Sequence, residues 1–198
     1  MTESDFENNA RVRPRRGPAG LIDRYLGPGA GSVDRLRVAL AALGGALLGG
    51  LTVDATLAPR LVLIALTAEI CAGLMAALNH PGKIWIHRPA GRNGRQALFV
   101  AAQLIPLAVF IWLFRAADTG LLLTTAGLLA AGSAVVALTP WRWQRAAGLI
   151  ALLAVMFAVQ ELHGLTAAAA WFLPLFYARV FLAYLPAPLP DTPQTPQQ

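Results

Sequence analysis

The sequence has few charged residues and almost no cysteine. Only 13% of its 198 residues are Asp, Glu, Lys or Arg, whereas 57% are hydrophobic. This composition is too apolar and too poor in charge for a soluble domain of this length. Cys71 is the single cysteine and lies within an apolar stretch. A disulfide framework is therefore excluded.

Residues with catalytic or metal-binding chemistry are also scarce. The chain has three histidines, too few for the multi-histidine iron sites of membrane desaturases, and a zinc site needs three or four protein ligands. Ser133 lacks the sequence context of a nucleophile elbow and has no evident base. We therefore predict no metal, no cofactor and no catalytic residue.

What the chain does contain is a series of six apolar runs of about 17 to 25 residues, the length that a helix needs to cross the hydrocarbon core. They predict an all-α, polytopic transmembrane bundle. The break at His163-Gly164 is the least marked, because Gln160 and Glu161 could lie within one distorted span, and five spans are the alternative. The predicted spans are Val38 to Leu57, Leu61 to Leu78, Ala97 to Phe114, Leu121 to Leu138, Ala146 to Leu162 and Leu165 to Leu185.

The segments outside this transmembrane domain, which takes in residues 31–185, are short. Residues 1–20 are polar and rich in Pro and Arg, as is typical of a disordered arm. Residues 21–30 combine apolar positions at helical spacing with a Gly-Pro-Gly turn, which predicts an amphipathic surface helix. Residues 186–198 form a Pro-rich tail that we expect to be flexible.

Positive charge predicts the orientation. The formal net charge is +6 and the sequence pI is about 10.7. The basic residues flank apolar spans, which favours anionic lipid headgroups as partners and argues against nucleic acid. Lys and Arg concentrate on the cytoplasmic side of spans, so we predict cytoplasmic termini and a multi-pass location in the bacterial inner (cell) membrane. The residues on that side include Arg11, Arg13, Arg15, Arg16, Arg24, Arg35, Arg37, Lys83, Arg88, Arg92, Arg95, Arg142 and Arg145.

Small residues line one face of the first span. Gly45 and Gly49 form a GxxxG pair, a pattern that lets two helix backbones approach closely. Internal packing is the simpler interpretation, and a homo-oligomer through the Gly45/Gly49 face is the alternative.

One acidic residue lies near the middle of a span. Glu69 is in the second span, and an ionisable group there is costly and faces a bundle interior or cavity. Spans two and six run in the same direction, and Glu69 and Arg179 lie at depths that differ by about one helical turn. We therefore predict a Glu69–Arg179 ion pair, with Arg179 reaching to the inner interface as the alternative.

The loop after the second span is the other candidate site. Counting along a continuous helix from Glu69 places His80 on the same helical face. His80 is therefore predicted to lie at the mouth of the cavity that Glu69 faces. Lys83, Trp85, His87 and Arg88 then alternate with isoleucines, which predicts one polar and aromatic side of an extended or interfacial segment. Cationic donors beside a ring at headgroup level suit a phosphate or carboxylate group with an apolar tail. The alternative is a loop whose charges only determine topology.

Two stretches carry a resemblance to known proteins. The first stretch is residues 69–88, which contains Asn79, Lys83, Trp85, His87 and Arg88. The second is the Trp-Phe-Leu-Pro-Leu-Phe sequence at 171–176, with Arg179 shortly after it. Together they resemble an uncharacterised family of small bacterial polytopic membrane proteins. The resemblance implies a transmembrane helix bundle and no reaction.

Three classes of function fit these observations. Binding or carrying an anionic lipid or other amphiphile at the inner leaflet accounts for Glu69 and the cationic loop together. A membrane-embedded enzyme acting on a phosphorylated or carboxylated lipid would use His80 or His87 as acid or base. An accessory or assembly subunit would present small-residue faces to a membrane complex. We favour the first class over a membrane-embedded enzyme and over an accessory subunit, which remain the alternatives.

Overall fold

The computed structural model describes residues 14–88, 92–164 and 166–188, and within these ranges the chain forms helices and no strand. The predicted all-α class is confirmed. Most of the predicted N-terminal arm and the end of the tail lie outside the described residues. The helices are α1 (Pro18–Leu26), α2 (Ser32–Leu51), α3 (Leu57–Leu78), α4 (His80–Ile86), α5 (Arg92–Ala102), α6 (Leu104–Phe114), α7 (Thr119–Leu138), a 3₁₀ turn (Trp141–Trp143), α8 (Gln144–His163), α9 (Ala167–Ala178) and a π-helix (Arg179–Tyr184).

Among the described residues, five helical stretches are long and apolar enough to cross a membrane. The architecture is therefore that of a multi-pass helical membrane protein. Helix α2 has 20 residues, about 30 Å of helix, but it carries Asp34, Arg35 and Arg37 in its first turns and is not among the five. The five are Leu57–Leu78, Asn93–Phe114, Thr119–Leu138, Trp141–His163 and Ala167–Tyr184.

Helices α2 and α3 pack closely through glycine. A Cβ added at Gly45 would lie 2.3 Å from the Thr67 carbonyl oxygen, and one added at Gly49 would lie 2.4 Å from Thr67 Oγ1. Thr67 Oγ1 donates a hydrogen bond of 2.7 Å to the Gly45 carbonyl. The Gly45/Gly49 face is therefore packed against α3 of the same chain, as the internal-packing interpretation predicts.

Helix α9 and the π-helix occupy the centre of the bundle. Four of their aromatic side chains, Phe172, Phe176, Tyr177 and Phe181, are fully buried, and Phe172 stacks on Phe110 with ring centroids 3.8 Å apart. Tyr177 Oη donates to the Thr125 carbonyl at 2.8 Å. Gly132 of α7 lies against the Phe181 ring. This packing holds the last helix rigidly against its neighbours.

The third predicted span is divided. Helix α5 ends at Ala102 and α6 begins at Leu104, because Pro106 has no N–H to donate to the carbonyl four residues earlier. The break at His163-Gly164 is present, since α8 ends at His163 and Gly164 has φ 65°, in the left-handed region that favours glycine. The first predicted span is displaced toward the N-terminus, because its helix ends at Leu51.

The described parts of both flanks, from residue 14 and up to residue 188, make contacts that the sequence did not predict. Helix α1 begins at Pro18, inside the predicted disordered arm, since proline suits the first turn of a helix. Arg15, which precedes α1, is bound to that helix, because its guanidinium donates to Asp23 Oδ1 at 2.7 Å. In the predicted flexible tail, the Ala187 N–H donates to Gln144 Oε1 at 2.7 Å.

Candidate functional site

An ion pair joins α3 to the start of the π-helix. Arg179 Nη2 donates to Glu69 Oε1 at 2.5 Å, and Nη1 donates to Oε2, so the contact is bidentate. The Arg179 side chain is 7% exposed and that of Glu69 is 47% exposed. The structure thus brings the two predicted partners together, with the arginine enclosed and the carboxylate at the edge of the bundle.

The position of Arg179 depends on three neighbouring elements. A Cβ added at Gly73 of α3 would lie 2.6 Å from Arg179 Nε, so only glycine leaves room for the guanidinium. Gln103 Oε1, at the α5–α6 break, accepts from Nη1 at 3.5 Å. The Phe99 ring lies with its centroid 5.5 Å from Arg179 Cζ, within the range of a cation–π contact. Sequence spacing gave no sign of Gly73 in this role.

Lys83 and His87 bind the end of the π-helix. Lys83 Nζ donates to the Ala183 carbonyl, and His87 Nε2 lies 3.0 Å from the Tyr184 carbonyl. Both side chains are buried. Of the two predicted alternatives, an extended or an interfacial segment, the extended one is wrong, because His80–Ile86 is helical. Positions four apart on a helix share a face, and this face is turned toward the last helix.

Replacing Lys83 with methionine is expected to lower the free energy of unfolding by about 1.5–3 kcal/mol, the contribution of a hydrogen bond to a charged group. The Ala183 carbonyl would lose this donor in a buried region. Unfolding in mixed detergent micelles measures the change. Arg142→Met is the control, because Arg142 is an exposed cation. Equal stability of the two variants would contradict the role given to Lys83.

A cleft beside the ion pair is lined by cations and aromatic rings. It has a volume of about 270 Å³ and lies between α1, α3, α4, α5 and the π-helix. We call it the arginine cleft. Its charged lining is Arg24, Arg88, Arg95 and Arg179, and its aromatic lining is Tyr25, Trp85, Phe99 and Tyr184.

The cations of the arginine cleft are crowded. Arg88 Cζ lies 3.7 Å from the centre of the Trp85 ring, and Arg88 Nη1 donates to the Trp85 carbonyl at 2.6 Å. Arg95 Nη2 donates to the Arg88 carbonyl at 2.5 Å. Burial lowers the pKa of Arg88 below its usual value, and the charge of Arg95 lowers that pKa further. An anion in the cleft would relieve this repulsion.

Helix α1 borders the arginine cleft. Tyr25 Oη donates to the Glu69 carbonyl at 3.5 Å. Burial raises the pKa of Tyr25, and the charge of Glu69 adds to the effect. The Arg15 hydrogen bonds hold the pKa of the Asp23 carboxyl at about 2, so this contact keeps its charge at neutral pH. The sequence alone assigned Tyr25 to a surface helix and did not place it at the site.

His80 does not lie in the arginine cleft. It lines a separate depression of about 160 Å³ with Pro28 and Gly29. The prediction that His80 shares the face of Glu69 assumed a continuous helix. Helix α3 ends at Leu78, and Asn79 is extended with φ −65° and ψ 143°, which turns His80 away. Of the predicted loop residues, Trp85 and Arg88 line the cleft.

No protein family, curated protein or solved structure was found to match this chain. The site must therefore be interpreted from its own geometry. Within the described ranges, no three His, Cys, Asp or Glu side chains lie together as a metal site would require. The chemistry that the arginine cleft offers is anion binding next to aromatic rings.

Proposed function

We propose that this protein binds an anionic lipid or other anionic amphiphile by its headgroup in the arginine cleft. The observation that carries the proposal is the convergence of four arginines on one cleft of about 270 Å³. Glu69 neutralises one of them, Arg179. No carboxylate is among the described residues that line the cleft. Guanidinium groups suit phosphate and carboxylate, because their planar donors match two oxygens at once.

The size of the cleft supports a headgroup and not a whole lipid. Its volume of about 270 Å³ lies below the range of about 300–1,000 Å³ of sites that enclose a small molecule. The aromatic walls, such as Trp85 and Phe99, are suited to the level where headgroup and chain meet. The apolar tail of the ligand would therefore remain in the bilayer.

We place the cleft at the inner leaflet through a topology of six spans with both termini cytoplasmic. Asn79 Nδ2 donates to the Asp34 carbonyl at 3.4 Å, which puts the start of α2 beside the end of α3. The two helices are therefore antiparallel, and α2 serves as the first span. Arg35, Arg37 and the arginines of the cleft then lie on one side, as the positive-inside rule requires. We infer the bacterial cell membrane as its location.

The two other classes of function have less support. An enzyme would need an acid or base in the cleft, and neither His80 nor His87 is among the described residues that line it. His87 Nε2 faces a backbone carbonyl. An assembly subunit that used the Gly45/Gly49 face would need that face exposed, and α3 covers it.

Native mass spectrometry with equimolar phosphatidylglycerol and phosphatidylcholine tests the proposal. Wild type is expected to retain phosphatidylglycerol, and Arg24→Gln/Arg88→Gln is expected to lose about tenfold in this preference, as charge-assisted hydrogen bonds are removed. The matched control is Arg142→Gln/Arg145→Gln, which removes two exposed cations of another connection. An equal loss in both double variants, or no preference in wild type, would refute headgroup binding in the cleft.

A further inference from the structure

A second and larger cavity lies on the other side of α5. It has a volume of about 790 Å³ and is bounded by α5, α6, α7 and the 3₁₀ turn. Arg95 and Phe99 of α5 face the arginine cleft, whereas Gln96 and Val100 face this second cavity. Helix α5 thus separates two distinct sites. We call the second one the alanine groove, because alanines of α5 and α7 form much of its wall.

The alanine groove is apolar except at one end. Its lining runs from Asn93 to Leu104 on one wall and from Ala126 to Leu138 on the other, about 16–18 Å of helix. This is close to half of the hydrocarbon core, which is about 30 Å thick. The groove therefore has the length of one chain in one leaflet. Trp141 lines it at the end where α7 stops, as expected for a ring at the membrane interface.

Two buried polar atoms in the alanine groove lack a hydrogen-bond partner among the described residues. They are Gln96 Nε2 and Ser133 Oγ. Gln96 is only 9% exposed and Ser133 only 7%. Gln96 lies four residues after the start of α5 and Ser133 five before the end of α7, which is about 6–8 Å of helix from each end. The two donors therefore lie at a similar depth.

A buried donor without an acceptor costs free energy, so these two atoms indicate what the groove holds. An acceptor must reach them from the occupant, and the rest of the occupant must be apolar. Their depth corresponds to the boundary between headgroups and hydrocarbon, since a bilayer is about 40–45 Å thick with its headgroups and about 30 Å without them. The carbonyl of a glycerolipid ester lies at this boundary with a chain below it.

We propose that the alanine groove binds one acyl chain of a diacyl glycerolipid, with the ester carbonyl accepting from Gln96 Nε2 and Ser133 Oγ. The assignment does not depend on the headgroup and is independent of the arginine cleft. Gln144 closes the polar end of the groove, because its Oε1 is held by the Ala187 N–H at 2.7 Å. The groove selects an ester-linked chain over an ether-linked one.

The test compares lipids that differ only in this carbonyl. Delipidated protein in detergent is titrated with diester phosphatidylcholine, with diether phosphatidylcholine of equal chain length, and with the free fatty acid, and bound lipid is counted by native mass spectrometry. Wild type is expected to prefer the diester over the diether by about fivefold, the effect of one or two buried hydrogen bonds. Equal binding of diester and diether, or tighter binding of the fatty acid, would overturn the assignment.

Substitutions in the groove test whether its residues cause the preference for the diester lipid. Ser133→Ala with Gln96→Leu is expected to bring the diester-to-diether ratio close to one. Ala134→Phe is expected to reduce binding of both lipids at least tenfold, because Ala134 lines the groove. Ala131→Phe is the matched control, since Ala131 is exposed on the same helix and is not among the lining residues. An unchanged ratio in the polar double variant, or equal loss with Ala131→Phe, would refute the proposal.

A further control separates the two sites. Arg24→Gln/Arg88→Gln is expected to leave the diester-to-diether ratio unchanged, because the arginine cleft lies on the opposite side of α5. A change in the ratio would show that ester selection belongs to the cleft, and it would overturn the assignment to the groove. A loss of phosphatidylglycerol preference alone bears only on the proposed headgroup site.

Discussion

Arg179→Met is expected to lower the free energy of unfolding by about 3 kcal/mol, the lower end of the usual cost of removing one partner of a buried ion pair, because Arg179 is enclosed and Glu69 is partly exposed. The guanidinium makes a bidentate contact with Glu69 and a longer one with Gln103. Its loss would leave the Glu69 carboxylate within a span without its counter-ion. Unfolding in mixed detergent micelles, followed by tryptophan fluorescence, gives the magnitude.

The double variant Glu69→Met/Arg179→Met provides the control. Replacing both members of a buried pair by apolar residues is often close to neutral, so we expect most of the lost stability to return. A double variant as unstable as Arg179→Met would show that the ion pair is not what the single substitution disrupts.

Gly45→Ala is expected to lower the free energy of unfolding by about 1–3 kcal/mol, the usual cost of overpacking a close interface. The added Cβ would lie 2.3 Å from the Thr67 carbonyl oxygen, and a backbone atom cannot move aside as a flexible side chain does. Helices α2 and α3 would have to separate. The hydrogen bond from Thr67 Oγ1 to the Gly45 carbonyl would be lost with them.

The neighbouring glycine is a matched control for this substitution. A Cβ added at Gly44 would meet no atom within 4 Å. Gly44→Ala is therefore expected to be neutral, or to stabilise by about 0.4–1 kcal/mol through the unfolded state. Thermal melts of the two variants in the same detergent measure the difference in their stability. A greater loss for Gly44→Ala than for Gly45→Ala would contradict the α2–α3 packing.

The contact of Glu69 with Arg179 followed from the sequence because depth in a membrane can be counted. Both residues lie on apolar helices whose rise per residue is fixed, and a charge at that depth needs a partner. The same argument failed for His80. One extended residue, Asn79, breaks the helical count, and the hydrophobic pattern does not record such a break.

The composition of the arginine cleft could be predicted only in part. Trp85 and Arg88 follow from the cationic loop, but Tyr25 and Phe99 come from segments distant in sequence. In the sequence, these two aromatic residues follow the same hydrophobic pattern as aromatic residues that face lipid or the core. The alternation of polar residues and isoleucines in 83–88 also fits a short helix, and a window of six residues is too short to distinguish the periods of helix and strand.

The partner of Glu69 lies 110 residues further along the chain. At a synthesis rate of about 5–20 residues per second, roughly 5–20 s pass between the appearance of the carboxylate and that of Arg179. During that interval Glu69 lacks the counter-ion that Arg179 provides in the folded protein. Insertion of the last helix therefore completes two features at once, because it supplies both the counter-ion of Glu69 and the remaining wall of the arginine cleft.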